Sequence, residues 1–327
     1  MRFGLCPQGG QEDGSEEGDG QRLRLRGTEC SGNFRQISMS FGNLKFIAVR
    51  KELRAFTLWI AQDGSGQKFY AFRLRPVLAA NPEVREGLAK SLAPFQALSH
   101  LCLARFYGVQ RQGEFWALYE YADGEFLSEL LASREKLPLK QALEVGLKVS
   151  EGLAELHRAG LVNGGLSPDE VLILPDGGVK LLGIGLPQAI YQLGVPYRIW
   201  LDPLWIAPEM HANRPLAPTS DVYSLGLLLQ RMIAGRQEIL ALGSSRLAEI
   251  INTCLSPEPH ARYRNANQVR MLLMDELKSE PKQAEAVLEE EEALDWVALL
   301  LGAIALLAVV GVVVLWTIVY YRYAGVF

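Results

Sequence analysis

The chain has 327 residues, 49% of them hydrophobic and 21% charged, with a formal net charge of −4. That length allows two lobes with a sizeable core, and the slightly acidic balance carries no global signature of a nucleic-acid partner. The four cysteines (Cys6, Cys30, Cys102 and Cys254) are scattered with no C-x-x-C pair, which argues against a zinc site or disulfide framework and fits a reducing compartment.

Residues 1–38 are dominated by glycine and acid, as in QEDGSEEGDG. Such a segment buries too little apolar area to offset its ordering entropy and is predicted to be a disordered tail. It has no apolar core of a signal peptide, and its RLRLR run (residues 22–26) reads as solvated charge. Residues 44–75 read as strands, with AFTLWIAQ and KFYAFRL flanking DGSG as a hairpin. DGSGQK lacks the spacing of a phosphate loop and no helix follows it. A helix is predicted over 83–99 and a strand at WALYEYA. From 126 onward the chain is mainly helical, most regularly in SREKLPLKQALEVGLKVSEGLAELHRAG. VLIL and VKLL flank PDGG as a second, short hairpin.

The last segment is the plainest. Residues 276–295 form an acidic linker containing EEEEALD, and residues 296–321 then run without a charge. As a helix these 26 residues extend about 39 Å, more than the roughly 30 Å of a hydrocarbon core. A single transmembrane helix is predicted, with a short tail at 322–327. Lys278 and Lys282 before the span outnumber Arg322 after it, a bias that places the main domain on the cytoplasmic side. Ala298, Gly302, Ala305, Ala308 and Gly311 recur every three or four residues and offer a helix-packing stripe for a homo-oligomer.

Five ordered motifs in the middle of the chain carry a resemblance. LHRAGLVNGGLSPDEVLIL resembles the LHxxxIxHRDLKPxNIL segment of eukaryotic-type protein kinases, with Leu166 and Pro168 in place. Gly183-Ile184-Gly185 falls at the family's D-F-G, thirteen residues after Glu170. Ala207-Pro208-Glu209 keeps A-P-E, DVYSLG follows at 221–226, and CLSPEPHARYRNANQV resembles the late CLxxDPxxRPTAxEL segment. The chain is thus similar to that family over about 230 residues. The resemblance implies an α+β bilobal fold, with a β-rich N-lobe over 39–122 and a helical C-lobe over 123–275.

Against the family pattern, the chemistry-bearing positions are altered. The HRD triplet aligns with Asn163-Gly164-Gly165, so the catalytic-base position is Gly165. Ser167 stands for the catalytic-loop lysine, Glu170 for the metal-binding asparagine and Gly183 for the metal-binding aspartate. Arg73 stands for the strand lysine, and the αC glutamate aligns near Ser91, with Glu86 the nearest acid before it. The segment expected to hold the glycine-rich loop, IAVRKELRAFTLW, contains no glycine. Glu209 and Arg262 are positioned to pair, and Asp221 to hold the catalytic-loop backbone. His100 and His157 are read as polar caps near helix ends.

The expectation from these departures is a membrane-anchored pseudokinase without phosphoryl transfer, acting as a binding scaffold or regulator for a protein partner such as an active kinase or a membrane complex. No residue is expected to be catalytic, no nucleic acid is expected, and no cofactor is required. Metal-free nucleotide binding stays open, with Arg73 the candidate for a phosphate and Glu170 for a cation that it would hold weakly alone. Two alternatives stand beside it. One is an active atypical serine/threonine kinase using ATP, with Glu170, Asp169 or Asp176 supplying base or metal function. The other is a structural membrane protein that oligomerises through its tail helix.

Overall fold

The computed structural model describes residues 44–110, 114–194, 197–235 and 246–323, and for 280–298 the backbone alone. The tail expected over 1–38 lies outside the described residues.

The first lobe is built on a five-stranded antiparallel sheet. Its strands are β1 (Lys45–Glu52), β2 (Phe56–Gln62), β3 (Lys68–Leu74), β4 (Phe106–Gln110) and β5 (Trp116–Glu120). They lie in the order β1-β2-β3-β5-β4. β2 and β3 pair from Phe56↔Leu74 to Gln62↔Lys68. Their turn is closed by Asp63, whose Oδ1 accepts from the Ser65 N–H at 2.9 Å and the Gln67 N–H at 3.0 Å. β4 was not anticipated, because FYGVQ is too short and interrupted to show a two-residue period. Between β3 and β4 lie α1 (Pro76–Ala79) and α2 (Pro82–Leu92). Asn81 caps α2 by accepting from the Glu83 N–H at 2.9 Å, with Pro82 opening the helix. The expected helix over 83–99 ends at Leu92 and passes into a 3₁₀ turn at Ala93–Ala97, where Pro94 starts the tighter winding.

The second lobe begins with β6 (Glu125–Phe126), α3 (Leu127–Ser133) and α4 (Leu139–Arg158). In α4 the buried residues Ala142, Val145, Val149, Leu153 and Leu156 recur every three or four positions and define its inner stripe. β7 (Val171–Ile173) and β8 (Val179–Leu181) form a small sheet with β6. Then come α5 (Leu186–Gln192), α6 (Tyr197–Trp200), α7 (Pro208–His211), α8 (Pro218–Ala234), α9 (Arg246–Cys254) and α10 (Ala266–Tyr323). α8 lies against α4 and α9, and the start of α10 packs on α4. The backbone stays helical through the segment expected as a linker, so α10 is one helix of 58 residues. Its stretch Leu299–Tyr323 is long and apolar enough to cross a membrane, with none of its most apolar window buried.

The lobes approach closely at Phe95. Gly185 opens α5 at φ 81°, and a Cβ there would stand 2.7 Å from the ring of the fully buried Phe95. Strain and overlap act together, so Gly185→Ala is expected to cost about 1–3 kcal/mol. The urea midpoint of the full chain in detergent reads this directly. An unchanged midpoint would mean that the Phe95 ring gives way freely.

Candidate active site

The loop between α4 and β7 is held by a single carboxylate. Asp221, fully buried in the first turn of α8, accepts from the Asn163 N–H and the Gly164 N–H, each at 2.8 Å. The same carboxylate meets His157 Nε2 at 2.9 Å. His157 Nδ1 accepts from the Ala266 N–H at 3.1 Å, which assigns the proton of a neutral ring to Nε2 and points it at Asp221. His157 therefore caps a helix, as expected from its place near a helix end, but the helix is α10. His100 caps a turn, accepting from the Cys102 N–H at 3.1 Å. The Asn163 side chain stays in the loop's core: its Oδ1 accepts from the Gly185 N–H at 2.9 Å, and its Nδ2 donates to the Gly165 carbonyl.

Strand alternation decides what faces the cleft. Phe72 lines it, and a Cβ at Gly183 would lie 3.1 Å from the Phe72 ring. Arg73, the residue expected to meet a phosphate, projects from the opposite face. There it pairs with Glu114 and stands 5.8 Å over the ring of its cross-strand neighbour Trp116. Tyr70, on the same face as Phe72, donates to the Ala122 carbonyl at 3.0 Å and packs against Tyr121 at 4.9 Å. Tyr119 donates to the Ile184 carbonyl at 2.9 Å, tying β5 to the Gly183–Gly185 turn. Ser91 is half-buried on α2.

The open part of the cleft is a cavity of about 170 Å³ between the β1–β2 turn and the loop. Gly165, Ser167, Asp169 and Glu170 line it from below, Arg54 from above and Asp202 from the side. Glu170 accepts from the Ser167 N–H at 2.8 Å. Burial pushes its carboxyl up to about 8, outweighing the Ser167 hydrogen bonds, with Asp169 adding a like charge. Asp169 is more open and pairs with Lys51. Asp176 is outside the cleft; its Oδ1 accepts from the Gly178 N–H at 2.8 Å and shapes the β7–β8 turn. The family's divalent-cation site is not matched by these residues. Gly183 offers no side chain, Glu170 keeps its proton at neutral pH, and no group of three His, Cys, Asp or Glu converges among the described residues.

Behind the cleft, Glu209 and Arg262 form a buried bidentate pair at 2.8 and 2.9 Å. Every remaining arm is satisfied. Ser220 donates to Glu209 at 2.8 Å, and Arg262 donates to the carbonyls of Ser256, Thr219 and Pro257. Burial raises the Glu209 carboxyl, but hydrogen bonds from Arg262 and Ser220 outweigh it and hold the group below its usual range.

The fold and these motifs meet known proteins at one point. A family model described as protein tyrosine and serine/threonine kinase matches residues 78–284. The chain belongs to this kinase family. Among curated proteins, it is 25% identical to the serine/threonine-protein kinase drp72 of Corynebacterium efficiens over 234 residues, covering 69% of this chain and 45% of that protein. It is 27% identical to the serine/threonine-protein kinase PknA of Mycobacterium tuberculosis over 237 residues, covering 64% of this chain and 55% of that one. The chain thus spans about half the length of these relatives. Among solved structures, the Mycobacterium tuberculosis PknI kinase domain aligns with a TM-score of 0.61 at 19% identity, over 72% of this chain and 97% of that domain. That likeness shows the fold.

These findings correct one expectation. The kinase-family chain was expected to be a pseudokinase, a scaffold and no enzyme. Its relatives are named as serine/threonine kinases and the matched model is that of the kinases, so the alternative of an atypical active kinase fits better. The expectation rested on the family's usual positions, chiefly Gly165 and Gly183, and gave little weight to the acids beside them. Sequence reading also passed over Phe72, Lys51 and Asp202. The alternation of KFYAFRL was the available signal for Phe72; nothing local marks the other two.

Two outcomes follow for this kinase-family chain. Arg262→Ala leaves a buried carboxylate unpaired and is expected to cost about 3–5 kcal/mol, read from denaturant unfolding of the full chain; a loss under 1 kcal/mol would show that the pair is replaceable. Glu170 keeps its proton in the fold up to about pH 8, while the unfolded chain releases it near 4.5. Its contribution therefore turns unfavourable as pH rises through that window. Glu170→Gln should raise the melting temperature more at pH 8 than at pH 5, and an equal gain at both would contradict a protonated Glu170.

Proposed function

We propose that the chain is an atypical serine/threonine protein kinase that takes ATP in the interlobe cleft. The observation that carries this is the family match over 78–284, together with relatives that are themselves named serine/threonine kinases. The site geometry supports a role for Asp169, the open carboxylate on the loop in the cleft. A substrate hydroxyl attacks the terminal phosphorus, its proton passes to Asp169, and ADP leaves. Glu170, protonated and bonded to Ser167, fixes the loop beside it. The kinase portion lies on the cytoplasmic side of a membrane crossed by the C-terminal helix, a placement supported by Lys278 and Lys282 against Arg322.

The test is transfer of labelled terminal phosphate from ATP to the chain itself and to a generic basic protein, using the full chain in detergent. Transfer is expected, falling about 100-fold or more in Asp169→Asn. No transfer with or without Mg²⁺ or Mn²⁺ ends the reading, and transfer untouched by Asp169→Asn removes Asp169 from it.

A further inference from the structure

The β1–β2 hairpin occupies the place where the family carries a flexible glycine-rich loop, and here it is tied down. Three of its cations reach across to carboxylates of the second lobe. Arg50 makes a bidentate pair with Glu129 of α3 at 2.6 and 2.7 Å. Lys51 meets Asp169 and also donates to Ser128 Oγ at 2.5 Å. Arg54 stands 3.8 Å from Asp202. Arg50 and Lys51 further lie over the ring of the buried Phe126, each 5.0 Å from its centre. These are three separate anchor points, on α3, on the loop and beyond α6, for one short hairpin.

The space beneath is small. The roughly 170 Å³ cavity falls short of the 300–1,000 Å³ common for bound small molecules, so a nucleoside triphosphate enters only if the hairpin lifts. The ion pairs at the mouth are open to water: Lys51 and Arg54 meet aspartates that keep about a third of their surface exposed. The hydrogen bond from Arg50 holds the Glu129 carboxyl below its usual range, and Phe126 N–H supports the same group at 3.2 Å.

We infer that Arg50, Lys51 and Arg54 form an ionic clamp that holds the β1–β2 hairpin closed over the cleft and regulates nucleotide entry. The inference rests on the kinase reading for what enters, and on the ion pairs alone for what closes. The clamp also gives Lys51 a role at Asp169, since closure keeps the proposed proton acceptor occupied until the hairpin opens. Each exposed pair contributes modestly and is screened by salt, so together they set an opening equilibrium of about tenfold rather than a permanent seal.

The test compares the full chain in nonionic detergent with the variant R50Q/K51Q/R54Q, at 50 and 500 mM NaCl. Backbone hydrogen exchange over β1 reads the hairpin; titration with ADP reads the cleft. In the parent chain, exchange over β1 is expected to rise several-fold with salt, and ADP to bind more tightly at 500 mM than at 50 mM. The variant should exchange fast at both salts and bind ADP about tenfold tighter than the parent at 50 mM. Exchange that ignores both salt and substitution overturns the clamp, whatever ADP does. ADP binding that weakens in the variant also overturns it, because the cations would then be holding phosphate rather than the lobe. Fast exchange in the variant with no ADP binding by either protein upholds the clamp and sinks the kinase reading instead. Should the triple variant not fold, the salt series on the parent decides between the same outcomes.

Discussion

The buried carboxylate of Asp221 organises the second lobe. A charge with no solvent contact is tolerable only when its lone pairs are filled, and Asp221 fills them with two consecutive backbone N–H groups and an imidazole. Those bonds set the path of residues 163–165, and the path sets where Ser167, Asp169 and Glu170 stand. The Glu209–Arg262 pair works one layer further back. It ties α7 to the segment before α10, so that the first turn of α8, which carries Asp221, is held through Thr219 and Ser220.

Between the lobes, aromatic rings carry part of the contact. Phe72 faces Gly183, Tyr70 reaches the Ala122 carbonyl, and Tyr119 bonds the Ile184 carbonyl. Each phenol is buried with its hydroxyl satisfied, the condition for burying tyrosine at low cost. What polarity remains is concentrated at the mouth, in Lys51, Arg54, Asp169 and Asp202.

Much of this architecture was legible in the sequence, for physical reasons that can be named. The β2–β3 hairpin announces itself by aromatic strands around Asp63-Gly64, and α4 by its three-and-four spacing. The membrane-length apolar run needs only a count. Short elements escaped: β4 has five residues and β6 two, too few for any period to show. At the site, motif spacing located the loop and the Glu209–Arg262 positions, but it misjudged the orientation of β3, where a one-residue shift exchanges Arg73 for Phe72. The pairs across the cleft were invisible because their partners are 79 to 148 residues apart in sequence: Lys51 from Asp169, Arg54 from Asp202, Arg50 from Glu129. Function was misread for a related reason, since counting absent side chains at family positions says nothing about neighbours that the fold brings to the same place.

His157 leaves a mechanical consequence. One imidazole serves two masters: its Nε2 faces the carboxylate that shapes the loop, and its Nδ1 receives the first N–H of the helix that runs to the apolar end of the chain. A slip of that helix by one turn, about 5.4 Å, would remove the donor that fixes the tautomer and leave the ring free to turn away from Asp221. Axial registry at the far end and loop geometry at the cleft are thereby two readings of one gauge.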